Sequence, residues 1–238
     1  MKPVAIFQHS AGEGPGYFAT FLDRHSIPWQ LINIAQGVLV PANAGDFSGL
    51  ALMGGPMSVN DPLPWIGEEL TLIRTAREQD IPVIGHCLGG QLMAMAFGAT
   101  VERNPVKEIG WGEVSVIDNL VARKWFDALL GFSAFHWHGE TFSLPEEAVA
   151  ILTSPYCKHQ AFALGPHLGM QCHVEMTAAM ITSWCESGAA EIAANISASV
   201  QEPRKMLAEM TYRLTPLNTV ADLLYTRWIE GLAAFRDS

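Results

Sequence analysis

Short apolar runs rich in β-branched residues alternate with segments of helical periodicity in the first hundred residues of the chain. The helical segments include residues 16–25 and 64–79, and apolar side chains in the second of these recur every three to four positions. The apolar runs around them are residues 4–8, 30–34, 49–54 and 81–85. Such alternation is typical of βαβ units, so it predicts an α/β fold with a mainly parallel sheet and helices on both faces.

The middle of the chain, roughly residues 100 to 174, has more strand character than the residues before it. Apolar and β-branched residues dominate five short runs there, at 112–117, 132–138, 148–153, 160–165 and 168–175. We expect some of these strands to extend the parallel sheet as antiparallel additions.

After Glu175 the pattern becomes helical to the end of the chain. Thr215 is predicted to cap a helix whose first residue is Pro216, because both residue types favour those positions. An apolar stripe at helical spacing follows, made of Leu217, Val220, Ala221, Leu224, Trp228 and Leu232. Since no repeat or clear linker appears, we expect an α/β domain over residues 1–188 and a helical C-terminal extension over 189–238 packed on it.

Composition and charge exclude several classes of function. Apolar residues make up 49% of the 238 positions and charged residues 16%, so the chain can bury a large core. The net charge is −10 and no cluster of Lys or Arg occurs, which argues against a nucleic-acid partner. No apolar run reaches the length of a membrane span. The four cysteines lack CxxC spacing, and the chain opens on a strand pattern without a signal peptide, so we expect a cytoplasmic protein with reduced thiols and no metal or cofactor.

The stretch GHCLGGQ, residues 85–91, joins a predicted strand to a predicted helix. Gly85, Cys87 and Gly89 have the spacing of a G-x-S-x-G nucleophile elbow, with cysteine in place of serine. A cysteine at a helix N-terminus is favoured as the thiolate, which is the reactive form. The plainer interpretation is a small buried cysteine in a glycine-rich turn.

A cysteine nucleophile needs a base and a group that orients the base. In QCHVE, residues 171–175, His173 and Glu175 are two positions apart on a predicted strand and therefore share a face. Other histidines compete for this role, since His136 and His138 share a face and His86 adjoins Cys87. An HxH pair can ligate a metal, but without a third ligand nearby it is more simply a pair of structural histidines.

A third motif, LMGGPMSV, covers residues 52–59 and follows a predicted strand. Glycine lets backbone N–H groups approach a ligand closely, so this loop can aim an N–H at a developing oxyanion. The N–H of Leu88, directly after Cys87, would be the second donor. An ordinary glycine-rich loop is the alternative interpretation.

Together, GGPMSV, GHCLGGQ and QCHVE resemble the class I, or triad-type, glutamine amidotransferases. EIGWGEV at residues 108–114 and HWHGETFSLP at 136–145 look like the same family. The resemblance covers roughly residues 45 to 180. It implies a flavodoxin-like open sheet and an enzyme that hydrolyses the side-chain amide of glutamine through a γ-glutamyl thioester.

The resemblance also implies a role for each matching residue. Cys87 would be the nucleophile, His173 the general base and acid, and Glu175 the group that orients the imidazole. The N–H groups of Gly55 and Leu88 would form the oxyanion hole. The α-amino and α-carboxylate end of the substrate would lie against Gln91, Trp137, His138, Gly139 and Glu140.

Two departures from the family pattern limit these expectations. Cys172 and Val174 replace the usual aromatic and proline beside His173, at positions that do no chemistry. The chain also has no room for a synthetase, so it looks like the stand-alone branch, some of whose members cut γ-glutamyl peptides. For an ammonia donor, a separate synthetase subunit is the expected partner. The oligomeric state is left open.

Two other classes of protein compete with this interpretation. One is a non-catalytic regulatory or binding module that keeps the elbow. The other is a group of elbow-cysteine proteins whose catalytic histidine adjoins the cysteine, as His86 does here. We expect His173 to be essential and His86 dispensable, and the remaining cysteines, Cys157, Cys172 and Cys185, to have no chemical role.

Overall fold

The computed structural model describes residues 1–232, and these contain one nine-stranded sheet. In chain order the strands are β1 (Val4–Gln8), β2 (Trp29–Asn33), β3 (Gly49–Leu52), β4 (Val83–His86), β5 (Val101–Val116), β6 (Gly131–Phe142), β7 (Val149–Thr153), β8 (Ala161–Leu164) and β9 (His167–Met170). The helices are α1 (Gly16–Arg24), α2 (Pro64–Glu78), α3 (Leu88–Ala96), α4 (Leu120–Phe126), α5 (Ala178–Ser187), α6 (Ala189–Ala194) and α7 (Pro203–Ile229). Short 3₁₀ helices cover Ile34–Gln36 and Ala44–Asp46.

The sheet has the order β2-β1-β3-β4-β9-β8-β7-β5-β6. The pairings from β2 to β9 are parallel, and the pairings from β9 to β6 are antiparallel. The predicted fold class is therefore confirmed, with β5 to β8 as the antiparallel additions.

Helices cover both faces because the central strands are apolar on both. Along β1, Val4 and Ile6 pack in a core with α1, α4, α5 and α7, whereas Ala5 and Phe7 face a second core with α2 and α3. All five residues of β1 are buried. This two-sided burial explains why the first strands have continuous apolar runs and not an alternating pattern.

The long antiparallel strands β5 and β6 lie at one edge of the sheet, and β6 also contacts the segment that follows β9. The two strands pair from Val101 to Ser115, with an irregularity between Arg103 and Glu108. Phe135 of β6 then forms a β-bridge with His173 beyond β9. The antiparallel strands therefore contribute residues next to the segment that follows the parallel strand β9.

The start of the last helix differs from the prediction. Thr215 does not cap a helix, because α7 begins at Pro203 and runs through Pro216. Pro216 lacks the N–H that an interior helical residue donates, a local cost that burial of the apolar stripe around it offsets. Met206, one turn after Pro203, is also fully buried, so the buried face begins well before Thr215.

The strand predicted over residues 168–175 also ends early, at Met170. His173 and Glu175 therefore lie in an irregular segment and not in β9 itself. Among the helices of residues 1–232, none combines the length and the apolar character that a membrane span requires.

Candidate active site

Cys87 stands at the tight junction between β4 and α3. Its backbone has φ 51° and ψ −107°, a conformation that non-glycine residues rarely adopt. The neighbours must be glycine because the chain is crowded there. A Cβ on Gly85 would lie 2.4 Å from the carbonyl carbon of Gly89, and a Cβ on Gly89 would lie 2.1 Å from the oxygen of Leu52. The G-x-C-x-G spacing therefore reflects steric demands around a strained cysteine.

The thiol of Cys87 opens into a cavity of about 700 Å³. Gln171 donates a hydrogen bond from Nε2 to Sγ at 3.5 Å, and the carbonyl oxygen of Trp137 lies 3.8 Å from the same sulfur. Gln171 is held in turn by Gln91, whose Nε2 donates to its Oε1 at 3.1 Å. The sulfur thus has two polar contacts and lines the cavity.

His173 and Glu175 form a short hydrogen-bonded pair despite lying beyond the end of β9. Nδ1 of His173 is 2.6 Å from Oε1 of Glu175, and both side chains are buried. The backbone N–H of His173 donates to the oxygen of Phe135 at 2.8 Å, and Trp184 packs edge-on against the imidazole. The ring therefore has a fixed position.

Charge couples the two members of this pair. Burial by itself would lower the pKa of His173, but the charges of Glu175 and of the nearby Cys87 outweigh burial and raise that pKa well above its ordinary value. Nε2 of His173 has no hydrogen-bond partner among the described residues. Burial by itself would raise the pKa of Glu175, yet the charges of His173 and His86 lower it to about 2. An ionised Glu175 hydrogen-bonded to an imidazole that interacts electrostatically with Cys87 is the arrangement that a cysteine nucleophile requires.

His86 lies on the far side of Glu175 and is fully buried. Its Nε2 is 3.8 Å from Oε2 of Glu175 and shares a hydrogen bond of 3.1 Å with the hydroxyl of Tyr225 in α7. Burial lowers the pKa of His86. The histidine adjacent to the cysteine in sequence therefore lies beside the carboxylate of Glu175 and also contacts the C-terminal helix.

The two N–H groups predicted as an oxyanion hole come from neighbouring elements. Leu88 is the first residue of α3, so its N–H has no acceptor within the helix. Gly55 lines the cavity, and a Cβ there would lie 2.7 Å from a side-chain carbon of Leu88. A side chain at position 55 would therefore displace the side chain of Leu88.

The residues predicted to bind the α end of a substrate all line the cavity, and the structure gives several of them protein partners. The indole of Trp137 donates to Glu191 at 2.9 Å, and Glu140 accepts from the hydroxyl of Ser58 at 3.0 Å. Gly139 packs with its Cα beside the side chain of Lys107. Their assignment to substrate binding stays a prediction.

The HxH pair has a third potential ligand that the sequence did not reveal. Donor atoms of Glu108, His136 and His138 lie within 4.8 Å of one another, and all three residues are buried. Glu108 is already engaged, since it accepts from Ser154 at 2.9 Å and Gln160 at 2.7 Å and lies 3.1 Å from Nε2 of His138. This set has the donor types of a metal site, and Nδ1 of His136 and Nε2 of His138 have no hydrogen-bond partner among the described residues.

Sequence reasoning did not find four side chains that shape the site: Glu13, Gln171, Trp184 and Tyr225. Glu13 lies in the loop after β1, and it had a local signal, since the glycine-rich stretch AGEGPG follows a buried strand. Tyr225 had none, because its partner His86 is 139 positions away.

Three comparisons with known proteins extend these observations. Residues 27–182 match the family model described as glutamine amidotransferase class-I. A glutamine amidotransferase-like protein of Salmonella typhimurium, YfeJ, is 30% identical over 203 residues, which are 80% of this chain and 82% of that protein. The crystal structure of a glutamine amido transferase from Methylobacillus flagellatus is 44% identical, with a TM-score of 0.95 over 98% of this chain and 96% of that one.

A larger protein shares only a portion of its length with this chain. The glutamine-hydrolysing GMP synthase of Pseudomonas entomophila is 28% identical over 139 residues, which are 54% of this chain and 25% of the synthase. The similarity is thus confined to about a quarter of the synthase.

Proposed function

Since this chain belongs to the class-I glutamine amidotransferase family, we propose that it hydrolyses the side-chain amide of glutamine with Cys87, His173 and Glu175 as a catalytic triad. The observation that carries the proposal is the hydrogen bond of 2.6 Å between His173 and Glu175, together with the electrostatic interaction of that imidazole with the strained elbow cysteine. A buried carboxylate that orients an imidazole, with the imidazole serving a thiol, is the arrangement of a cysteine nucleophile with its base.

The first half of the reaction would form a γ-glutamyl thioester. His173 takes the proton of the Cys87 thiol, and the sulfur attacks the amide carbon and forms the C–S bond while the carbonyl oxygen takes up negative charge. The N–H groups of Gly55 and Leu88 are the proposed donors to that oxygen. The C–N bond then breaks as His173 transfers a proton to the departing nitrogen, which leaves as ammonia.

The second half would return the enzyme to its starting state. His173, now able to accept a proton, activates a water molecule that attacks the thioester carbon. Collapse of the second tetrahedral intermediate breaks the C–S bond and releases glutamate, and the proton returns to the Cys87–His173 pair. Glu175 stays ionised throughout and holds the imidazole through Nδ1.

The same triad would also cut a γ-glutamyl peptide, since only the leaving group changes. The observation in favour of this second candidate is the cavity of about 700 Å³, which is in the usual range for whole small-molecule sites. We keep glutamine as the first candidate because the family membership supports it directly.

The test is to follow glutamate release from L-glutamine and, in parallel, from a γ-glutamyl dipeptide. We expect turnover by the unaltered protein, none by Cys87→Ala, and full turnover by the control Cys157→Ser, whose thiol is buried away from the cavity. Mass spectrometry of acid-quenched protein should show a γ-glutamyl adduct on Cys87. Activity retained in Cys87→Ala or in His173→Ala would contradict the triad, and a silent but correctly folded protein would favour a non-catalytic module.

A separate synthetase subunit that receives ammonia stays a prediction, as do the cytoplasmic location and the lack of a metal or cofactor. A partner-dependent glutaminase would turn over glutamine slowly alone and faster when the partner is added. Constant turnover with and without candidate synthetases would indicate that the chain acts by itself.

A further inference from the structure

The loop between β1 and α1 presents a carboxyl group to the cavity beside His173. Glu13 in this loop lines the cavity, and its backbone N–H donates to the oxygen of Ser10 at 3.1 Å. The indole of Trp184 donates to the oxygen of Gly12 at 2.9 Å and also packs edge-on against His173. One tryptophan therefore fixes both the loop and the imidazole.

The position of Glu13 follows from the space above Gly54. A Cβ at Gly54 would lie 2.2 Å from Oε2 of Glu13 and 3.2 Å from Cε1 of His173. The carboxyl group of Glu13 thus occupies the space that a side chain at position 54 would fill, next to the imidazole of His173. Position 54 directly precedes Gly55, the proposed oxyanion donor. Glycine at position 54 is what makes room for it.

The carboxyl of Glu13 has no Lys or Arg partner among residues 1–232. The basic side chains that line the cavity, Arg103 and Lys107, both belong to β5, on the wall that also carries Trp137 and Glu140. Of the titratable groups that act on Glu13, His9 comes from the end of β1, and His173 and Glu175 come from the segment after β9. Burial and the charge of Glu175 raise the pKa of Glu13 to about 7, while His173 and His9 act in the opposite direction.

The leaving group of the proposed reaction would lie close to the carboxyl group of Glu13. In the proposed function the departing nitrogen receives its proton from His173, so any atoms attached to that nitrogen lie beside His173 and hence beside Glu13. Ammonia and simple amines carry no negative charge to this place. The α-carboxylate of an amino-acid leaving group lies two bonds from the nitrogen and would be held close to an ionised Glu13, where like charges repel.

We propose that Glu13 is a specificity-determining residue, which favours γ-glutamyl amides of ammonia or simple amines over γ-glutamyl amino acids. The inference rests on the proposed function, because it takes the γ-glutamyl thioester chemistry as given. It identifies the charge of the leaving group as the property that this site selects.

The test uses two ligands of almost equal size. L-γ-glutamylethylamide and L-γ-glutamylglycine differ mainly in a methyl group against a carboxylate. Calorimetry with the full chain carrying Cys87→Ala measures binding without turnover. At pH 8 we expect the ethylamide to bind at least about tenfold more tightly, and the preference to fall to about threefold or less when Glu13→Gln is added.

Two further variants separate charge from shape. Glu13→Asp keeps the negative charge, so a preference for the ethylamide should persist. Glu186→Gln removes an exposed carboxylate of α5 that does not line the cavity, and it should leave the ratio of the two affinities unchanged within about twofold.

The ratio of affinities should also depend on pH. Below pH 7 Glu13 becomes protonated, so the preference for the ethylamide should weaken between pH 8 and pH 6. The Glu13→Gln variant retains His9, His173 and Glu175, so it shows whether those groups cause the pH dependence. We expect the ratio of affinities in this variant to be the same at pH 8 and pH 6.

Several outcomes would overturn the assignment of Glu13. These are equal affinities at pH 8 with Glu13 present, a preference that survives Glu13→Gln, and the lack of measurable binding of either ligand. Selective binding together with an unaltered chain that releases no glutamate would instead contradict the triad mechanism and leave Glu13 as a selector of ligands.

Discussion

Glu175 connects the two histidines of the site, because its carboxylate lies between His173 and His86. Its carboxylate is buried and is kept ionised by those two imidazoles. Replacing it with glutamine keeps the shape but lets the side chain donate to Nδ1, which favours the wrong tautomer of His173. A comparable change in serine proteases lowers kcat by about 10⁴.

We therefore expect Glu175→Gln to reduce glutamate release by about 10² to 10⁴ while leaving the fold intact. Steady-state kinetics with L-glutamine measures this loss, and circular dichroism checks the fold. The exposed Glu186→Gln, on α5, serves as the matched control and should keep full activity. A fall of less than about threefold in Glu175→Gln would show that Glu175 does not orient the base.

The same carboxylate predicts a dependence of stability on acid. The pKa of Glu175 is about 2 in the folded protein and near 4.5 in the unfolded chain. Its contribution to the free energy of unfolding is therefore complete above pH 4.5. It is lost as the pH falls from about 4.5 to 2, because the unfolded chain binds the proton first. Denaturant titrations of the unaltered chain should lose on the order of 3 kcal/mol of unfolding free energy from this group. Glu175→Gln should show a shallower acid slope, and an identical slope would contradict the assignment.

At the scale of elements, α7 packs on the sheet and also contacts the candidate active site through Tyr225. Its Tyr225 is fully buried and hydrogen-bonds His86, which faces Glu175. Contacts through His86 thus connect the C-terminal helix to the carboxylate of Glu175. The boundary predicted at residue 188 stays a prediction, but α7 packs in one core with β1 and α1.

Tyr225→Phe tests whether α7 supports the triad. Loss of the hydroxyl should lower kcat about three- to tenfold, while the free energy of unfolding falls by only about 1 kcal/mol. The matched control is Tyr212→Phe on the same helix, whose side chain is exposed and should tolerate the change. Equal kcat in the two variants would limit α7 to a structural role.

The predicted elements failed where tertiary packing outweighed a local signal. Pro216 has the local character of a helix start, yet α7 passes through it because buried residues lie on both sides of it. The strand predicted to reach Glu175 ended at Met170, since β6 takes over as the neighbour of His173. Local propensity is too weak to compete with burial at these places.

At the scale of the whole molecule, Trp228 ties α7 to the parallel sheet. Its indole is fully buried, packs edge-on against Phe18 of α1 and reaches Gly49 at the start of β3. Such a contact couples the C-terminal helix to the sheet, so we expect both to unfold together as a single cooperative structure.

Trp228→Ala should therefore destabilise the entire chain and not α7 alone. We expect a loss of about 3–5 kcal/mol, a large share of the stability of a typical domain, in a single unfolding transition. Thermal unfolding followed by both intrinsic fluorescence and far-ultraviolet circular dichroism measures it. Two separate transitions would show that the C-terminal helix unfolds independently of the sheet.

Sequence alone was enough to establish the fold class and the order of the three motifs that form the candidate site. It could do so because these signals are local: glycine spacing around an elbow, apolar runs of strand length, and side chains two positions apart. Only the folded chain placed Tyr225 against His86 and Glu13 beside His173. Those contacts join residues more than a hundred positions apart, and no local pattern records which distant side chains the packed sheet and helices bring together.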